Sequence, residues 1–481
     1  MTLSNFVAGI SPLKEVLMNY LENAAATVPT PRQLAWNQME FYGFVHFGLY
    51  TYAPQTEGHN SSELFNPEKL DPRQWVKAFK SAGMTGLILT CKHHEGFCLW
   101  PSKYTEFSVK QSPWKNGQGD VVREVADACR EAGLKFGVYL SPWDMYEPTY
   151  GTSAYNTYFM NQLEELLTQY GDIFCVWFDG ACRAPEKLQP YDWEAYYELI
   201  RRLQPDACIS ICGPDVRWCG NEAGICRDEE WSVVPKIIMT TERNPGYWRQ
   251  IHEIPNSTWK DIGSRAFLEQ HPEVIWYPAE VDVSIRPGWG YIPGEDKKLL
   301  SLKELMHIYE SSVGGNATLL LNVPPNPDGL FDEVDVIRLG EMGDEIRRIF
   351  KNPLTAGANA FSEESEKGHE ACLALEESRD GYWKSKEEAK NPVVTFVFPK
   401  TEKINLVLIK EAIEVGQHIE YFYIDVCVNG LWETVYEGKT IGYKKLCRFP
   451  AKQADAFRIR IAQARGFSAL TRVEAFFDEK A

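Results

Sequence analysis

Polar side chains capable of chemistry stand at the ends of several apolar runs in this chain, and Asp179 is the clearest of them. It ends the run 173–178 and is followed by Gly180, which leaves room for a ligand to approach the backbone. A carboxylate in that place can act as a nucleophile or a base, and it can equally cap a turn or a helix. The position of Asp179 alone leaves both interpretations open.

Three histidines occupy similar positions: His46 ends an apolar run, and His93 and His94 are adjacent in another segment. Adjacent side chains on an extended segment point to opposite faces, and no carboxylate has a spacing that completes a metal-binding set. We therefore expect no metal ion and interpret the three histidines as hydrogen-bond donors to sugar hydroxyls. Histidines satisfied within the core are the alternative.

Aromatic residues lie close to these positions in the sequence. Tyr139 ends another apolar run and precedes Trp143, while Trp177 lies two residues before Asp179. Aromatic residues make up 13% of the chain, including 15 Trp, and such rings stack on the apolar faces of sugars. Large cores also use aromatic residues, so the composition by itself does not separate the two uses.

Short apolar strands that alternate with amphipathic helices would position these residues. The segment from Asp71 to Gly83 shows the helical pattern, with Asp as N-cap, Pro72 in the first turn and Gly at the end. The alternation predicts a parallel α/β fold, and the number of units favours a closed TIM-like (β/α)8 barrel with its active site at the carboxyl ends of the strands. Strands are predicted at 41–47, 86–90, 136–141, 173–178, 207–211 and 318–323, while strands six and seven are not placed.

Beyond residue 352, apolar and polar residues alternate at 393–398, 403–409, 419–428, 457–461 and 471–477. A period of two indicates strands with one buried face, so we predict a C-terminal antiparallel β-sandwich. We divide the chain into a catalytic barrel with an N-terminal lead-in, residues 1–352, and a sandwich, residues 353–481.

Charge and composition exclude several kinds of partner. A formal charge of −17 without a Lys/Arg run argues against nucleic acid. No apolar stretch is long enough to span a membrane, and the N-terminus lacks the pattern of a signal peptide, so the chain as written is expected in the cytoplasm, or in the periplasm or secreted if an export signal was removed. The 12 Cys lack metal-site spacing and no cofactor is expected. The oligomeric state is not predicted.

Four motifs together resemble glycoside hydrolase family 29, the α-L-fucosidases, and they occur in the family's order. The likeness covers residues 35–350, and the C-terminal part also fits the family's layout. The motifs are HFG at 46–48, KHHEGF at 92–97, GVYLSPWD at 137–144 and WFDGA at 177–181.

The resemblance implies a role for each matching residue. Asp179 becomes the catalytic nucleophile. Glu57 matches a sugar-contacting glutamate, but Gly58 stands where the family often has Trp, so that contact departs from the pattern. The residues that line the fucose pocket by this resemblance are His46, His93, His94, Tyr139 and, as an aromatic wall, Trp289.

The acid/base is assigned from the segment 218–224, which resembles the branch of the family that cleaves α-1,3 and α-1,4 linkages. By that resemblance Glu222 is the acid/base, and a solvated loop glutamate is the alternative. Because the acid must hold a proton near neutral pH, we expect Glu222 in drier or more anionic surroundings than Asp179. The stretch 276–289 also matches this branch, so Glu280 and Arg286 are predicted to bind substrate, with a structural ion pair at the barrel rim as the alternative.

The predicted activity is that of a retaining exo-α-L-fucosidase acting on Lewis-type or fucosyllactose-type glycans. A retaining glycosidase needs two carboxyl groups about 5 Å apart. Trp289, Trp143 and Trp177 are candidate walls for the methyl group of fucose. Two alternatives remain: a non-catalytic glycan-binding protein on a hydrolase scaffold, and a TIM-barrel glycosidase for another sugar.

Overall fold

The computed structural model describes residues 20–53, 61–181, 187–243, 253–375 and 381–480. A near-closed parallel barrel is followed by an antiparallel β-structure, so the predicted fold class is confirmed. The first elements are α1 (Pro31–Asn37), β1 (Phe41–Val45), α2 (Pro72–Ala82), β2 (Gly86–Lys92), α3 (Val121–Ala132), β3 (Lys135–Leu140), α4 (Ala154–Gln169), β4 (Cys175–Phe178), α5 (Trp193–Leu203), β5 (Cys208–Ile211) and β6 (Arg217–Trp218). They are followed by β7 (Val233–Pro235), α6 (Lys236–Glu242), α7 (Arg265–Gln270), β8 (Val274–Trp276), β9 (Ala279–Ser284), α8 (Leu302–Ser312), β10 (Ala317–Asn322) and α9 (Glu333–Phe350).

Eight strands form the barrel in the order β5-β4-β3-β2-β1-β10-β9-β6, and all of the pairs between neighbours are parallel. A parallel bridge between Ser210 and Val216 brings β5 next to the start of β6 and nearly closes the ring. All carboxyl ends of these strands therefore face the same mouth, where the chemistry of such barrels takes place.

The predicted helix signals act as expected at α2. The Asp71 side chain accepts a hydrogen bond from the backbone N–H of Arg73, Pro72 occupies the first turn, and Gly83 ends the helix with φ 88°. Asp120 caps α3 in the same way through the backbone N–H of Arg123. Each cap satisfies backbone groups that a helix end leaves unpaired, which is why these sequence positions mark helix boundaries.

The two strands that the sequence analysis did not place are β6 and β9. Strand β6 has only two residues and follows β5 without an intervening helix, so it lacks the repeated strand–helix pattern. Strand β9 carries Glu280 and Asp282, whose buried side chains interrupt the apolar run that signals a parallel strand. Between them, β7 and β8 form a separate antiparallel pair.

In the described residues of the C-terminal part, seven antiparallel strands surround a second hydrophobic core. The predicted runs 393–398 and 403–409 belong to one long strand, and the exposed β15 was missed because nearly all its side chains face solvent. Register shifts interrupt the pairing of the two longest strands, β13 and β16. The elements are β11 (Asn359–Phe361), β12 (Trp383–Lys384), β13 (Val393–Glu411), β14 (Ile419–Val428), β15 (Leu431–Gly438), β16 (Lys445–Ala464) and β17 (Ala469–Phe476).

A charged cluster and an apolar contact join the two parts. Glu40, just before β1, receives Lys410 at 2.8 Å and Lys444 at 2.7 Å from the C-terminal part. Burial opposes ionisation, but the two ammonium groups lower the pKa of Glu40 from 4.5 to about 2. The rings of Phe350 and Phe476 meet at 5.3 Å beside this region. The division of the chain at residue 352 remains a prediction.

Candidate active site

Asp179 lies immediately after β4, at the mouth of the barrel, and its side chain is 21% exposed. The Tyr139 hydroxyl donates to Asp179 Oδ2 at 2.9 Å, and the backbone N–H of Ala181 donates to Oδ1 at 2.7 Å. Burial, and then the Asp179 carboxylate, raise the pKa of Tyr139 well above its usual value, which keeps this hydroxyl protonated. Both oxygens of Asp179 therefore accept a hydrogen bond from a fixed donor. Asp179 is thus a reachable, oriented carboxylate.

His94 lies beside this carboxylate. Its Nε2 is 3.6 Å from Asp179 Oδ2, and its Nδ1 is 2.7 Å from Ser141 Oγ. The Ser141 hydroxyl donates in turn to the carbonyl oxygen of Trp143 at 2.6 Å. The Trp143 ring is buried and its centroid lies 4.7 Å from that of His94. The loop after β3 therefore holds the imidazole from its far side.

His46 follows β1 and is held by the end of β10. Its Nδ1 lies 2.8 Å from Asn322 Oδ1, which also accepts the backbone N–H of His46 at 3.2 Å. The Asn322 amide donates to the carbonyl oxygen of Trp289 at 2.9 Å. Burial, and then His93, lower the pKa of His46 well below 6.5, so its imidazole is neutral at neutral pH. One amide thus positions both a histidine and the loop that carries a tryptophan.

His93 stands between these groups. Its ring stacks on Tyr139 at 5.7 Å with an interplanar angle of 13°, and lies 4.9 Å from the ring of Tyr50. Its Nδ1 is 3.2 Å from Glu95 Oε2. His93 and His94 are themselves 4.1 Å apart between ring centroids. The structure therefore gathers the three predicted histidines and Tyr139 around Asp179.

Aromatic rings form the floor beneath this cluster. Trp177 stacks on Tyr139 at 5.2 Å, and Phe44 lies 5.2 Å from Trp177. Glu280 lies below these rings, fully buried, and accepts hydrogen bonds from Trp177 Nε1 at 2.6 Å and from the Tyr42 hydroxyl. Burial raises the pKa of Glu280 from 4.5 to about 7, against the effect of these two donors. Both oxygens of Glu280 thus accept hydrogen bonds from groups inside the barrel, and its predicted contact with substrate stays a prediction.

Glu222 reaches the pocket through Trp289. The Trp289 indole donates to Glu222 Oε2 at 3.2 Å, and its ring lies 5.1 Å from that of His46. Glu222 is exposed, so the drier surroundings that we expected are not found. Asp282 is buried, and burial, then Glu280 and more weakly Glu222, raise the pKa of Asp282 well above its usual value. The raised pKa favours the neutral form of Asp282, so this residue does not supply the anionic neighbour that we expected for Glu222.

Arg286 lies in a network of ion pairs. Its side chain is completely buried, and its guanidinium pairs with Asp335 at 2.8 Å, Asp332 at 3.0 Å and Asp296 at 3.1 Å. These contacts fit the alternative interpretation of a structural ion pair, and the predicted substrate contact of Arg286 stays a prediction. Burial and the Arg286 pairing act in opposite directions on Asp335, and burial dominates to raise the pKa of Asp335 to about 6.

Glu57 lies outside the described residues, so its predicted sugar contact stays a prediction. The residues that sequence analysis missed are Asn322, Ser141 and Asp282. Asn322 ends the apolar run of β10, the same signal that identified Asp179. Ser141 belongs to the motif at 137–144, but the sequence analysis assigned it no role. Its contact with His94 could not be predicted from the spacing of the two residues in the sequence.

Within the described ranges, no group of three His, Cys, Asp or Glu side chains is arranged to hold a metal ion. In the same part of the chain, no helix has the length and apolar character needed to cross a membrane. What the mouth does contain is an oriented carboxylate, a second carboxylate beside an indole, three histidines and several aromatic faces. Such a set suits a ligand with several hydroxyls and an apolar face, which is the chemistry of a sugar.

Comparison with known proteins agrees with this chemistry. The family model described as Alpha-L-fucosidase matches residues 25–348. Alpha-L-fucosidase 1 of Arabidopsis thaliana is 40% identical over 434 residues, which cover 88% of this chain and 82% of the plant protein. The crystal structure of a candidate α-L-fucosidase from Bacteroides ovatus has a TM-score of 0.85 and 42% identity, covering 98% of this chain and 77% of the other.

A Ruminococcus gnavus GH29 fucosidase, solved in complex with fucose, has a TM-score of 0.83 and 30% identity. That match covers 95% of this chain and 96% of the bacterial protein. The family model spans more than half of the chain, and the plant relative is similar over most of both lengths. The chain therefore belongs to the α-L-fucosidases of glycoside hydrolase family 29.

Proposed function

We propose that this α-L-fucosidase releases L-fucose from α-1,3- and α-1,4-fucosylated glycans of the Lewis or fucosyllactose type, with Asp179 as nucleophile and Glu222 as acid/base. The observation that carries the assignment is the contact of Trp289 with both His46 and Glu222. It connects the exposed Glu222 to the cluster around Asp179, so two carboxylates serve one pocket. Two such groups at one sugar are what a double displacement requires.

The reaction proceeds in two balanced steps. Asp179 attacks the anomeric carbon while the bond from that carbon to the leaving oxygen breaks, and Glu222 gives its proton to that oxygen. In the second step, Glu222 takes a proton from water, whose oxygen attacks the anomeric carbon and releases the Asp179 carboxylate. Two inversions at one carbon give retention, so the first product is the α anomer of fucose.

The division of roles follows from the surroundings of the two carboxylates. Asp179 receives Tyr139 and Ala181 as donors, which stabilise an anion. Glu222 has an indole donor and lies on the solvent side, where the leaving group of an exo-acting enzyme departs and water enters.

The sugar itself has three free hydroxyls and a methyl group. We assign the hydroxyls to His46, His93 and His94, and the apolar face and methyl group to the rings of Trp289 and Trp143. The linkage preference rests on the likeness of the segment 218–224 to one branch of the family. A glycan-binding protein without activity is not favoured, because the similar proteins are named as fucosidases.

Proton NMR during hydrolysis of a Lewis trisaccharide tests the proposal. We expect α-fucose as the first product, and faster release from α-1,3 and α-1,4 linkages than from an α-1,2 linkage. A first product in the β form would exclude the mechanism, and equal rates on all three linkages would exclude the linkage preference. Stronger competitive inhibition by galactose than by fucose would favour a different sugar.

Azide rescue separates the two carboxylates. With α-fucosyl fluoride and azide, Asp179→Gly should yield β-fucosyl azide, because azide replaces the nucleophile and inverts the centre. Glu222→Ala should yield α-fucosyl azide, because azide then attacks the fucosyl-enzyme. If Glu222→Ala is not rescued while another carboxylate variant yields α-fucosyl azide, the acid/base assignment is incorrect.

A further inference from the structure

Two pocket histidines have fixed hydrogen-bond partners whose own chemistry determines where the ring protons lie. A neutral imidazole carries one proton, on Nδ1 or Nε2, and its cation carries both. A partner that can only accept therefore requires a proton on the nitrogen that faces it. On the outer side of both His94 and His46, the partner atom acts as an acceptor.

At His94, the partner is the Ser141 hydroxyl, which has a single proton. That proton goes to the Trp143 carbonyl at 2.6 Å, because a carbonyl oxygen can only accept. Ser141 Oγ is then an acceptor for His94 Nδ1 at 2.7 Å, so Nδ1 is protonated. On the other side, Nε2 lies 3.6 Å from Asp179 Oδ2, a separation typical of an ion pair and not of a direct hydrogen bond.

A bare Nε2 in that position would set its lone pair against a carboxylate. Both oxygens of Asp179 already act as hydrogen-bond acceptors, for Tyr139 and Ala181, so a proton on His94 Nε2 would face an acceptor. Among the described contacts of the His94 ring, the titratable partners are His93 on its own segment and Asp179 after β4. The Asp179 carboxylate lies on the Nε2 side of the ring and favours a second proton there.

At His46, the partner is the Asn322 amide, and its orientation is determined at both ends. Its Nδ2 donates to the Trp289 carbonyl at 2.9 Å, and its Oδ1 accepts the backbone N–H of His46 at 3.2 Å. The Oδ1 atom must also accept from His46 Nδ1 at 2.8 Å. Among the described residues, no carboxylate forms an ion pair with its Nε2, and burial and then His93 lower the pKa of His46, so the ring stays neutral.

We infer that Ser141 and Asn322 are positioning residues that place protons differently on the two histidines. In the resting enzyme His94 carries both ring protons and is the cationic partner of Asp179, whereas His46 carries only the Nδ1 proton and offers Nε2 as an acceptor. The inference rests on the proposed function only in naming Asp179 the nucleophile. It corrects the expectation from sequence that all three histidines donate to the sugar, because His46 accepts from a sugar hydroxyl.

The different protonation states of His94 and His46 give the two residues different functions in the pocket. His94 favours the ionised nucleophile in the resting enzyme and loses that partner when Asp179 becomes an ester. His46 keeps the same protonation state throughout the catalytic cycle. Its unprotonated Nε2 accepts a hydrogen bond from a hydroxyl group of the sugar. A sugar that replaces this hydroxyl with a fluorine or a methoxy group cannot donate there and should bind less tightly.

The direct test is ¹⁵N NMR of the full chain with ring-labelled histidine at pH 7, without substrate, with signals assigned from His94→Gln and His46→Gln. We expect two protonated nitrogens on His94, and a protonated Nδ1 with a bare Nε2 on His46. In Asp179→Asn, which keeps the shape and removes the charge, His94 should lose its Nε2 proton. A bare nitrogen on His94 in the wild type, or a protonated Nε2 on His46, overturns the inference.

Kinetics provide a second readout with a matched control. His94→Gln removes a cation and should move the acid limb of the kcat/KM profile to higher pH, by about one unit or more. His46→Gln exchanges one neutral group for another and should lower kcat/KM without moving that limb. An equal shift in both variants would overturn the assigned proton states.

Ser141 has its own pair of variants. Ser141→Thr keeps the hydroxyl and should keep the wild-type signals of His94, whereas Ser141→Ala should change them and lower kcat/KM about tenfold. Unchanged His94 signals in Ser141→Ala would remove the positioning role. The NMR measurement needs no turnover, so it tests the proton states independently of activity. Failure to release fucose would exclude the proposed function, whereas only the NMR signals decide the proton states.

Discussion

Replacing Lys92 by Met should destabilise the barrel far more than the loss of an ordinary ion pair. Lys92 and Asp144 are both completely buried, with 2.7 Å between Nζ and Oδ2, and Lys92 also donates to Gln162 Oε1 at 3.0 Å. Asp144 Oδ1 accepts the backbone N–H groups of Tyr146 and Glu147, each at 2.9 Å. The pair thus ties the end of β2, next to the pocket histidines, to the loop after β3.

The magnitude follows from what the substitution leaves behind. Lys92→Met leaves the Asp144 charge buried without its cation, and breaking a buried pair in this way costs about 3–5 kcal/mol. Asp144→Asn keeps an acceptor for the two backbone groups and leaves the ammonium unpaired, so we expect a similar loss. The double variant Lys92→Met with Asp144→Asn removes both charges and should lose less than the sum by about 2 kcal/mol or more.

Urea unfolding followed by tryptophan fluorescence measures these differences. The matched control is Lys69→Met, which breaks a pair of similar length, 2.9 Å from Asp328, at a site where the side chains are 65% and 51% exposed. We expect that control to lower the free energy of unfolding far less than Lys92→Met does, because water already screens the exposed pair. The reasoning is refuted if Lys92→Met costs no more than Lys69→Met, or if the two single effects simply add in the double variant.

Three further outcomes are expected. Asp179→Asn should lower kcat about 10⁴-fold or more while the unfolding midpoint stays near that of the wild type, and a modest loss measured by fucose release would speak against a nucleophile. Asn322→Ala should lower kcat/KM about 10- to 100-fold through His46, and steady-state kinetics showing an unchanged value would contradict its positioning role. Because the pKa of Glu40 is lower in the folded protein, the stability that it contributes is present above pH 4.5 and is lost as pH falls toward 2. Glu40→Gln should therefore weaken urea resistance at pH 7 and reduce the pH dependence between 4.5 and 2, and parallel curves for both proteins would disprove this.

Local signals in the sequence were sufficient for much of the barrel. Helix α2 begins after an Asp and a Pro and ends at a Gly, and each of these residues acts through its own backbone conformation. Apolar runs located six of the eight barrel strands, because strands covered on both faces are apolar throughout. The same logic placed Asp179 at the mouth, since a polar residue directly after such a run must lie at the strand end.

The same signals failed where a buried strand carries charge or where a strand is too short to show a pattern. Strand β9 holds Glu280 and Asp282 inside the barrel, and they are tolerated because Trp177 and Trp218 donate to them. Their donors come from other strands, far away in the sequence. The pattern along one segment does not reveal such donors, so the sequence could not predict the buried hydrogen bonds of Glu280.

The sequence by itself determined which side chains stand at the strand ends, and with the family motifs it predicted roles for Asp179 and the three histidines. Tertiary structure alone decided which groups face one another: Asn322 meets His46 across 276 positions of the chain, and Arg286 turns from the pocket to three aspartates. Proton positions, burial and charge pairing depend on such contacts between distant segments. For that physical reason, proton positions, burial and charge pairing can be assigned only from the folded barrel.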